Sequence, residues 1–338
     1  MSAYVIRPLR ERDLPGVLEL RGLAGAGFTS LAVGKEVLAE RLAESEASFA
    51  GKAGVGCGRY LLGLEHVESG ALAGMAGVKP QVGVSQPFFN FRLLRIAQHS
   101  AAAERRFDLE VLVLVNEYAG ASEVGALFVR PEHRGGAGRA LAQTRYMLIA
   151  AEPTRFAEVI VSELRGVVEP DGRSPFWEAL GRHFFRMNFA EADALSAAGD
   201  NQFILDLMPK YPIYVDLLPE AARSAIGQAH PEGLGAKRLL LEEGFRYDRV
   251  VDIFDGGPLV STSRDALRTV REARRLPVTV GESTDGRRAL IAAPQIEGFR
   301  CAPAAARYRA GRVVVPPATA RALDLATGDK VLAWVSDV

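Results

Sequence analysis

Cysteine is scarce in this sequence: its two residues, Cys57 and Cys301, stand far apart along the chain. Two distant thiols build neither a disulfide framework nor a zinc site, and they suit a reducing compartment. An excess of either charge is also missing, since 41 lysines and arginines balance 41 aspartates and glutamates. No whole-chain field then favours a polyanion, which sets nucleic acid aside as a partner. Nothing approaches the roughly 18 apolar residues of a membrane span. The N-terminal MSAYVIRPLRERDL also carries charge where a signal peptide needs an apolar stretch. The chain is therefore expected to be cytoplasmic, with no membrane partner. Fixed-period repeats and low-complexity segments are lacking. The 5 histidines show no paired spacing of the kind that holds a metal, so none is expected.

What is present is an ordinary folded composition, 48% hydrophobic and 24% charged over 338 residues. At roughly 150 residues per domain that length implies about two domains. Val5-Ile6 reads as a short strand, and Asp13-Leu14-Pro15 opens a helix with apolar residues at 14, 17, 18 and 20. The runs 59–64 and 72–78, separated by Glu68-Ser69-Gly70, read as an antiparallel hairpin, and 111–115 with 124–129 read as a second such pair. The loop Pro131-Glu132-His133-Arg134-Gly135-Gly136-Ala137-Gly138 then leads into a helix with an apolar stripe through Ala140, Leu141, Thr144, Met147, Leu148 and Ala151. Val159 to Val161 form a strand, and the turn-rich stretch of about 165–228 reads as an insertion. The helix at 236–243 is closed by Gly244, and one or two strands follow over 245–254. Residues 262–275 read as a charged helix. The tail reads as strand, short helix and strand over 311–315, 317–323 and 330–335, a small β-rich subdomain. The expected division is 1–258 and 259–338.

A glycine-rich loop between strand and helix leaves backbone N–H groups open at the positive end of the helix dipole, where they can hold a pyrophosphate, and Arg134 adds a charged donor. A dinucleotide-binding unit places such a loop near the N-terminus, whereas here it follows several antiparallel strands. The order β, α, β-hairpin, β, loop, α, β, α, β instead resembles the GCN5-related N-acetyltransferase fold, in which this loop cradles coenzyme A. The expected fold class is thus α+β, a mixed sheet flanked by helices. Leu241-Glu242-Glu243-Gly244-Phe245 resembles that fold's later helix end. Counted from Arg134, the glycines at 135, 136 and 138 fall one position early, so the loop is one residue shorter than the usual pattern.

A closer resemblance rests on Thr29-Ser30-Leu31, Ser122-Glu123, Leu127-Phe128, Arg165-Gly166, Ser174-Pro175-Phe176-Trp177, Pro212-Ile213-Tyr214, Ile226-Gly227, His230-Pro231 and Asp252-Ile253-Phe254-Asp255-Gly256-Gly257-Pro258. These segments resemble the arginine N-succinyltransferase family, and the tail from about 290 is similar to its β-subunit type. The resemblance implies transfer of a succinyl group from succinyl-CoA to the α-amino group of L-arginine in arginine catabolism, with no tightly bound cofactor. Other readings on the same scaffold are an acyltransferase for ornithine or another amine and acyl-CoA, or a non-catalytic partner subunit of a heteromeric succinyltransferase; in any of these the chain is expected to be an oligomer, as homodimer or with an α-type sister subunit.

The resemblance assigns His230 as the proton donor and places Leu127 against succinyl-CoA. Read from the residues alone, Pro231 puts His230 at a helix start, where it caps the helix or, kept neutral by the dipole, handles a proton. Leu127 is in the same way a core leucine whose main chain stays free. With Leu127, the residues Arg134, Gly135, Gly136 and Gly138 are the expected coenzyme contacts. Anionic groups of the two substrates call for cations, for which Arg92, Arg165 and Lys210 are candidates. A guanidinium calls for carboxylates, for which Glu123 and Glu163 are candidates.

Overall fold

The computed structural model describes residues 3–24, 31, 33–198, 202–282 and 286–336; Thr29 and Ser30 of the resemblance lie outside them. The chain begins with β1 (Tyr4–Pro8), α1 (Leu14–Ala24), α2 (Lys35–Phe49), β2 (Tyr60–His66) and β3 (Leu72–Lys79). A long hairpin, β4 (Asn90–Ser100) and β5 (Arg105–Val115), precedes β6 (Ser122–Val129), α3 (Gly136–Ala151) and β7 (Val159–Glu163). Next come α4 (Pro175–Ala179), α5 (Gly181–Phe185), α6 (Phe189–Ala198), α7 (Gln202–Leu207), the short β8 (Ile213–Tyr214) and α8 (Glu220–Ala225). After α9 (Leu234–Glu243) run β9 (Arg246–Asp252) and β10 (Pro258–Ser263). The C-terminal part holds α10 (Arg268–Glu272), β11 (Arg274–Val280), β12 (Arg287–Ala292), β13 (Cys301–Arg309), β14 (Arg312–Val315), α11 (Pro317–Leu323) and β15 (Lys330–Val335).

The central strands lie in the order β1-β2-β3-β6-β7-β10-β9-β4-β5-β8. Without the β4–β5 hairpin and the helices of 165–228, the chain order is the expected one, down to the loop into α3. β2 and β3 are apolar on both sides because both faces are covered. Leu62, Leu64 and Ala76 pack with Tyr146, Met147 and Leu148 of α3, while Leu61 and Met75 pack with Val17 and Leu20 of α1 and Leu38 and Leu42 of α2.

Two expectations change. The strand at 111–115 does not pair with 124–129: β5 pairs residue for residue with β4, and β6 pairs with β3. The outer half of the β4–β5 hairpin is exposed and polar, so it carries no apolar alternation by which to recognise it. The expected helix over 262–275 is shorter, because Leu267 ends a 3-10 turn, α10 spans five residues and β11 begins at Arg274. We place the boundary between the two parts beyond β10, whose strand lies between β7 and β9 in the central sheet.

The tail is a closed barrel. The order β12-β15-β11-β14-β13 is completed by β12–β13 pairing, with β11 and β14 parallel and the remaining neighbours antiparallel. Closure leaves no free edge among these strands, and the barrel joins the central sheet where Ile6 of β1 faces Cys301 of β13. Glu243, at the end of α9, braces the junction. Its carboxylate accepts from Thr269 N and Oγ1 and from Arg268, each at 2.9–3.0 Å. No helix among the described residues is long and apolar enough to cross a membrane.

The helices of 165–228 dock on the far end of the sheet, where Phe176, Trp177 and Leu180 meet Phe91, Leu93 and Leu112. Phe176 and Trp177 are fully buried there. A Cβ added at Gly181 would stand 2.2 Å from Trp177 Cε3, so Gly181→Ala is expected to lower unfolding free energy by about 1–3 kcal/mol. Urea denaturation checks this, and an unchanged midpoint would show that the indole yields freely.

Candidate active site

The site starts from an interruption of the sheet. Parallel β6 and β7 pair only through Ser122 with Ile160 and Glu123 with Val161, after which they separate. Ser162 Oγ reaches across to the Val124 carbonyl at 2.8 Å in place of the missing ladder. On its other side β6 carries a bulge: register with β3 jumps between Phe128 and Gly125, and Ala126 holds φ +51°. A non-glycine residue in that region is strained, and such bulges re-aim the chain beside functional sites. Ala126 and Leu127 therefore run along an open wedge with no register partner on β3, while the Leu127 side chain packs on the core. Both readings of Leu127 are compatible with this placement.

Below the wedge lies a cavity of about 660 Å³ between α2, β3, β6 and the turns after β7 and β9. Of the residues proposed from sequence to touch substrates, it brings together Glu123, Glu163 and Arg165. Glu123 is the register partner of Lys79 and accepts its ammonium at 2.6 Å. Burial pushes the Glu123 carboxyl up, but Lys79 overrides it and holds the group below the usual range. Glu163, by contrast, accepts one hydrogen bond from Asn90 Nδ2 at 2.9 Å. Burial and the neighbouring Asp252 push Glu163 well above the carboxylate range.

Arg92 and Lys210 are not part of this cavity. Arg92 is held by Glu117 and Asp248 beside β9, and Lys210 is exposed in the turn before β8. A basic residue in a strand or turn gives no sign of which neighbours will neutralise it, so sequence cannot sort these cations from Arg165. The sequence reading also overlooked Asp193 and Asp252. Asp252 belongs to the D-x-x-D-G-G-P segment, whose crowding of acid and glycine is the signal that could have found it; Asp193 on α6 carries none.

That segment shapes the site. Asp252 Oδ1 accepts from the N–H groups of Phe254 (2.7 Å) and Asp255 (2.9 Å). Asp255 in turn accepts from Gly166 N at 2.7 Å and Gly257 N at 2.8 Å. The two backbones run so close that a Cβ on Gly257 would lie 2.2 Å from the Leu164 carbonyl, and one on Gly166 would lie 2.5 Å from that of Asp255. From this clamp the Arg165 carbonyl accepts the His230 N–H at 2.8 Å.

His230 precedes a 3-10 turn, Pro231–Gly233, that runs into α9. Its Nδ1 accepts from Glu232 N at 3.3 Å, so the cap expected from sequence is made and Nε2 is the nitrogen left for other partners. Burial and the nearby Arg165 guanidinium hold the imidazole below its ordinary value, with a neutral ring as the result. The dominant causes are thus burial and Arg165.

The glycine loop lies at the other end of β6. Gly135 adopts φ +121°, open to glycine alone, and α3 begins at Gly136 with space around it. Arg134 and Gly136 border a second recess of about 410 Å³, whose far wall includes Arg288 and Leu290 of the barrel. Arg139 in the first turn of α3 pairs with Glu242 in the last turn of α9, which Arg238 of the same helix also meets, so the start of α3 is tied to the end of α9. The structure therefore separates the expected coenzyme contacts from the expected amine contacts, with the bulged stretch of β6 between them.

Comparison with known proteins gives a consistent result. Residues 4–269 match the family described as arginine N-succinyltransferase beta subunit, and 274–334 match its C-terminal domain. The chain is 38% identical to "Arginine N-succinyltransferase subunit beta" of Pseudomonas aeruginosa over 97% of both chains. It is 37% identical to "Arginine N-succinyltransferase" of Salmonella newport, over 97% of this chain and 96% of that one. Among solved structures it resembles arginine/ornithine succinyltransferase subunit AI from P. aeruginosa, with TM-score 0.90 and 32% identity over 99% of each chain.

The cavity carboxyls make a prediction about stability. Burial and Asp252 push Asp193 up to about 6, against the opposing pull of Arg165. An acid whose folded value is raised binds more protons folded than unfolded, so its contribution to stability falls as pH climbs from near 4 and is fully lost above about 6. Asp193→Asn is therefore expected to exceed the parent in stability at pH 7 by about 1–3 kcal/mol and to lose that advantage near pH 4. Thermal unfolding across pH 4–8 checks the crossing, which a pH-independent difference would contradict.

Proposed function

The chain belongs to the arginine N-succinyltransferase beta subunit family and is an arginine N-succinyltransferase, an acyltransferase; we propose that it moves succinyl from succinyl-CoA to the α-amino group of L-arginine, in the cytoplasm and as a step of arginine breakdown. The observation that carries this reading is the open wedge at Ala126–Leu127, a strip of main chain running from the glycine loop to the acid-lined cavity. The N–H groups at Gly136 and Gly138, with Gly135 and Arg134, hold the pyrophosphate at the start of α3. The pantetheine arm then adds to the unpaired edge of β6 along Leu127, as an extended ligand adds to a strand. The amino acid enters from the cavity.

A thioester is already activated, so the protein's task is placement, stabilisation of the tetrahedral oxyanion and protonation of the sulfur. The amine attacks the carbonyl carbon, the C–N bond forms and the C–S bond breaks. The His230 imidazole, neutral at rest, takes the proton of the intermediate's ammonium and as imidazolium gives one to the departing sulfur, so one proton passes from nitrogen to thiol. The word "subunit" in the names of two relatives supports assembly from more than one chain, a second copy or an α-type sister.

Release of free thiol from succinyl-CoA by this chain alone, with and without L-arginine or L-ornithine, tests the reaction. L-Arginine-dependent release is expected, and release indifferent to any amino acid would overturn the reading. His230→Ala is expected to depress turnover by about 10²–10⁴. His230→Asn, which restores a good cap but no imidazole, should recover the melting temperature and leave turnover depressed. Recovery of turnover by Asn would reduce His230 to a cap.

A further inference from the structure

The large cavity is polarised by the order of the strands. Glu163, Asp252 and Asp193 line it on the β7–β9 side, whereas Arg41 of α2, Arg59 just before β2 and Lys79 at the end of β3 line it on the other. Lys79 is taken by Glu123 at 2.6 Å, and Arg59 reaches Glu44 at 3.1 Å. Glu40 and Glu44 stand on the exposed side of α2, so Glu123 is the carboxylate set inside among the three cations. Burial and the like charge of Arg59 push the Arg41 guanidinium down to about 10, against the pull of Glu44 and Glu123. Positive charge is crowded there, and an anion would relieve it.

A bare floor connects these cations to the bulge at Ala126. Leu61 of β2, Gly77 of β3 and Gly125 of β6 are register partners in one row, so the two positions nearest the bulge carry no side chain. A Cβ on Gly77 would stand 3.2 Å from Leu61 Cδ2 and 3.4 Å from Ala126 Cβ, so the row leads directly from one to the other. Arg59 is two residues from Leu61 and shares its face of the sheet. Leu38 and Leu42 pack with Leu61 and hold α2, with Arg41, over the row. Neighbouring strands lie about 4.8 Å apart, close to the span between a succinyl carbonyl and its distal carboxylate. A thioester carbonyl held at the bulge therefore sends that chain across Gly77, and its carboxylate arrives within reach of two long side chains. Guanidinium suits it, because parallel N–H donors match both oxygens of a carboxylate. The opposite side of the cavity offers carboxyls, which do not draw an anion.

We infer that Arg41 and Arg59, reached over the Gly77–Gly125 floor, seat the distal carboxylate of the succinyl group and set the preference for succinyl over uncharged acyl chains of the same length. This rests on the reading that succinyl-CoA is the donor. The α-carboxylate of the acceptor is the other source of the same chemistry, and Arg165, whose carbonyl accepts the His230 N–H, is the cation on its side.

Calorimetric titration of the full chain with succinyl-CoA and with butyryl-CoA, which carries a methyl group in place of the distal carboxylate, tests the inference in the parent, Arg41→Gln and Arg59→Gln. Both side chains are partly exposed, and one variant suffices if the other fails to fold. The expected result is succinyl-CoA binding weakened about 10–100-fold, the scale of losing a hydrogen bond between charged groups, with butyryl-CoA binding close to that of the parent. Equal losses for both thioesters, unchanged succinyl-CoA binding in both variants, or a parent that does not distinguish the two would each overturn it. An effect confined to L-arginine binding would overturn it as well, by giving these cations to the acceptor. Thiol release with L-arginine reports on the reaction separately. A parent that transfers succinyl but binds butyryl-CoA as tightly loses the inference and keeps the reaction. One that prefers succinyl-CoA through these arginines but transfers nothing keeps the subsite and loses the reaction, and affinity for neither thioester overturns both.

Discussion

The site depends on one close approach of backbone to backbone. Leu164–Gly166 and Asp255–Gly257 run side by side with no room for a Cβ, and the Asp255 carboxyl bridges them through Gly166 N and Gly257 N. Burial and the charge of Asp252 push Asp255 well above its usual range, a cost the two backbone donors partly offset. From this contact the exit of β7, the end of β9 and the start of the His230 turn take their positions. Arg165, Glu163, Asp252 and His230 are thus set by main-chain geometry, which holds positions more tightly than flexible side chains do.

The cavity divides its charges into two kinds. Lys79 and Glu123 form a cross-strand pair that settles its own electrostatics. Glu163 and Asp252 accept hydrogen bonds, and among the described residues neither they nor Asp193 have a cation within ion-pair distance, an arrangement that costs stability. Uncompensated burial of this sort persists where function needs it. The strained φ at Ala126 belongs to the same class, since it opens main chain that an unbroken β6–β7 ladder would have consumed.

The barrel and the inserted helices act through position. Closing β12 on β13 removes the edges of the tail, and Glu243 joins that barrel to the helix that starts behind His230. The barrel also supplies Arg288 and Leu290 to the wall beside the glycine loop. At the other end of the sheet, the helices of 165–228 deliver Asp193 to the cavity while burying Phe176 and Trp177. Each addition to the central sheet therefore contributes one wall of a recess as well as a core of its own.

Local signals in the sequence determined much of this. Pro231 after His230, Gly244 after a helix-forming run, and the glycines after β6 specify caps and turns through their own backbone preferences, and the structure has them where they were expected. The tail's strand, helix and strand were legible for the same reason. Only the tertiary structure decided which strands are neighbours, because β5 and β6 look alike in composition and their pairing is a long-range choice. It also decided which charges share a cavity: Arg165 and Arg92 are the same residue type in similar surroundings along the chain, and only folding leaves one without a carboxylate at ion-pair distance among the described residues and the other between Glu117 and Asp248. Electrostatic neighbourhood is a property of space, and residues 90, 163, 193 and 252 meet only once the sheet is assembled.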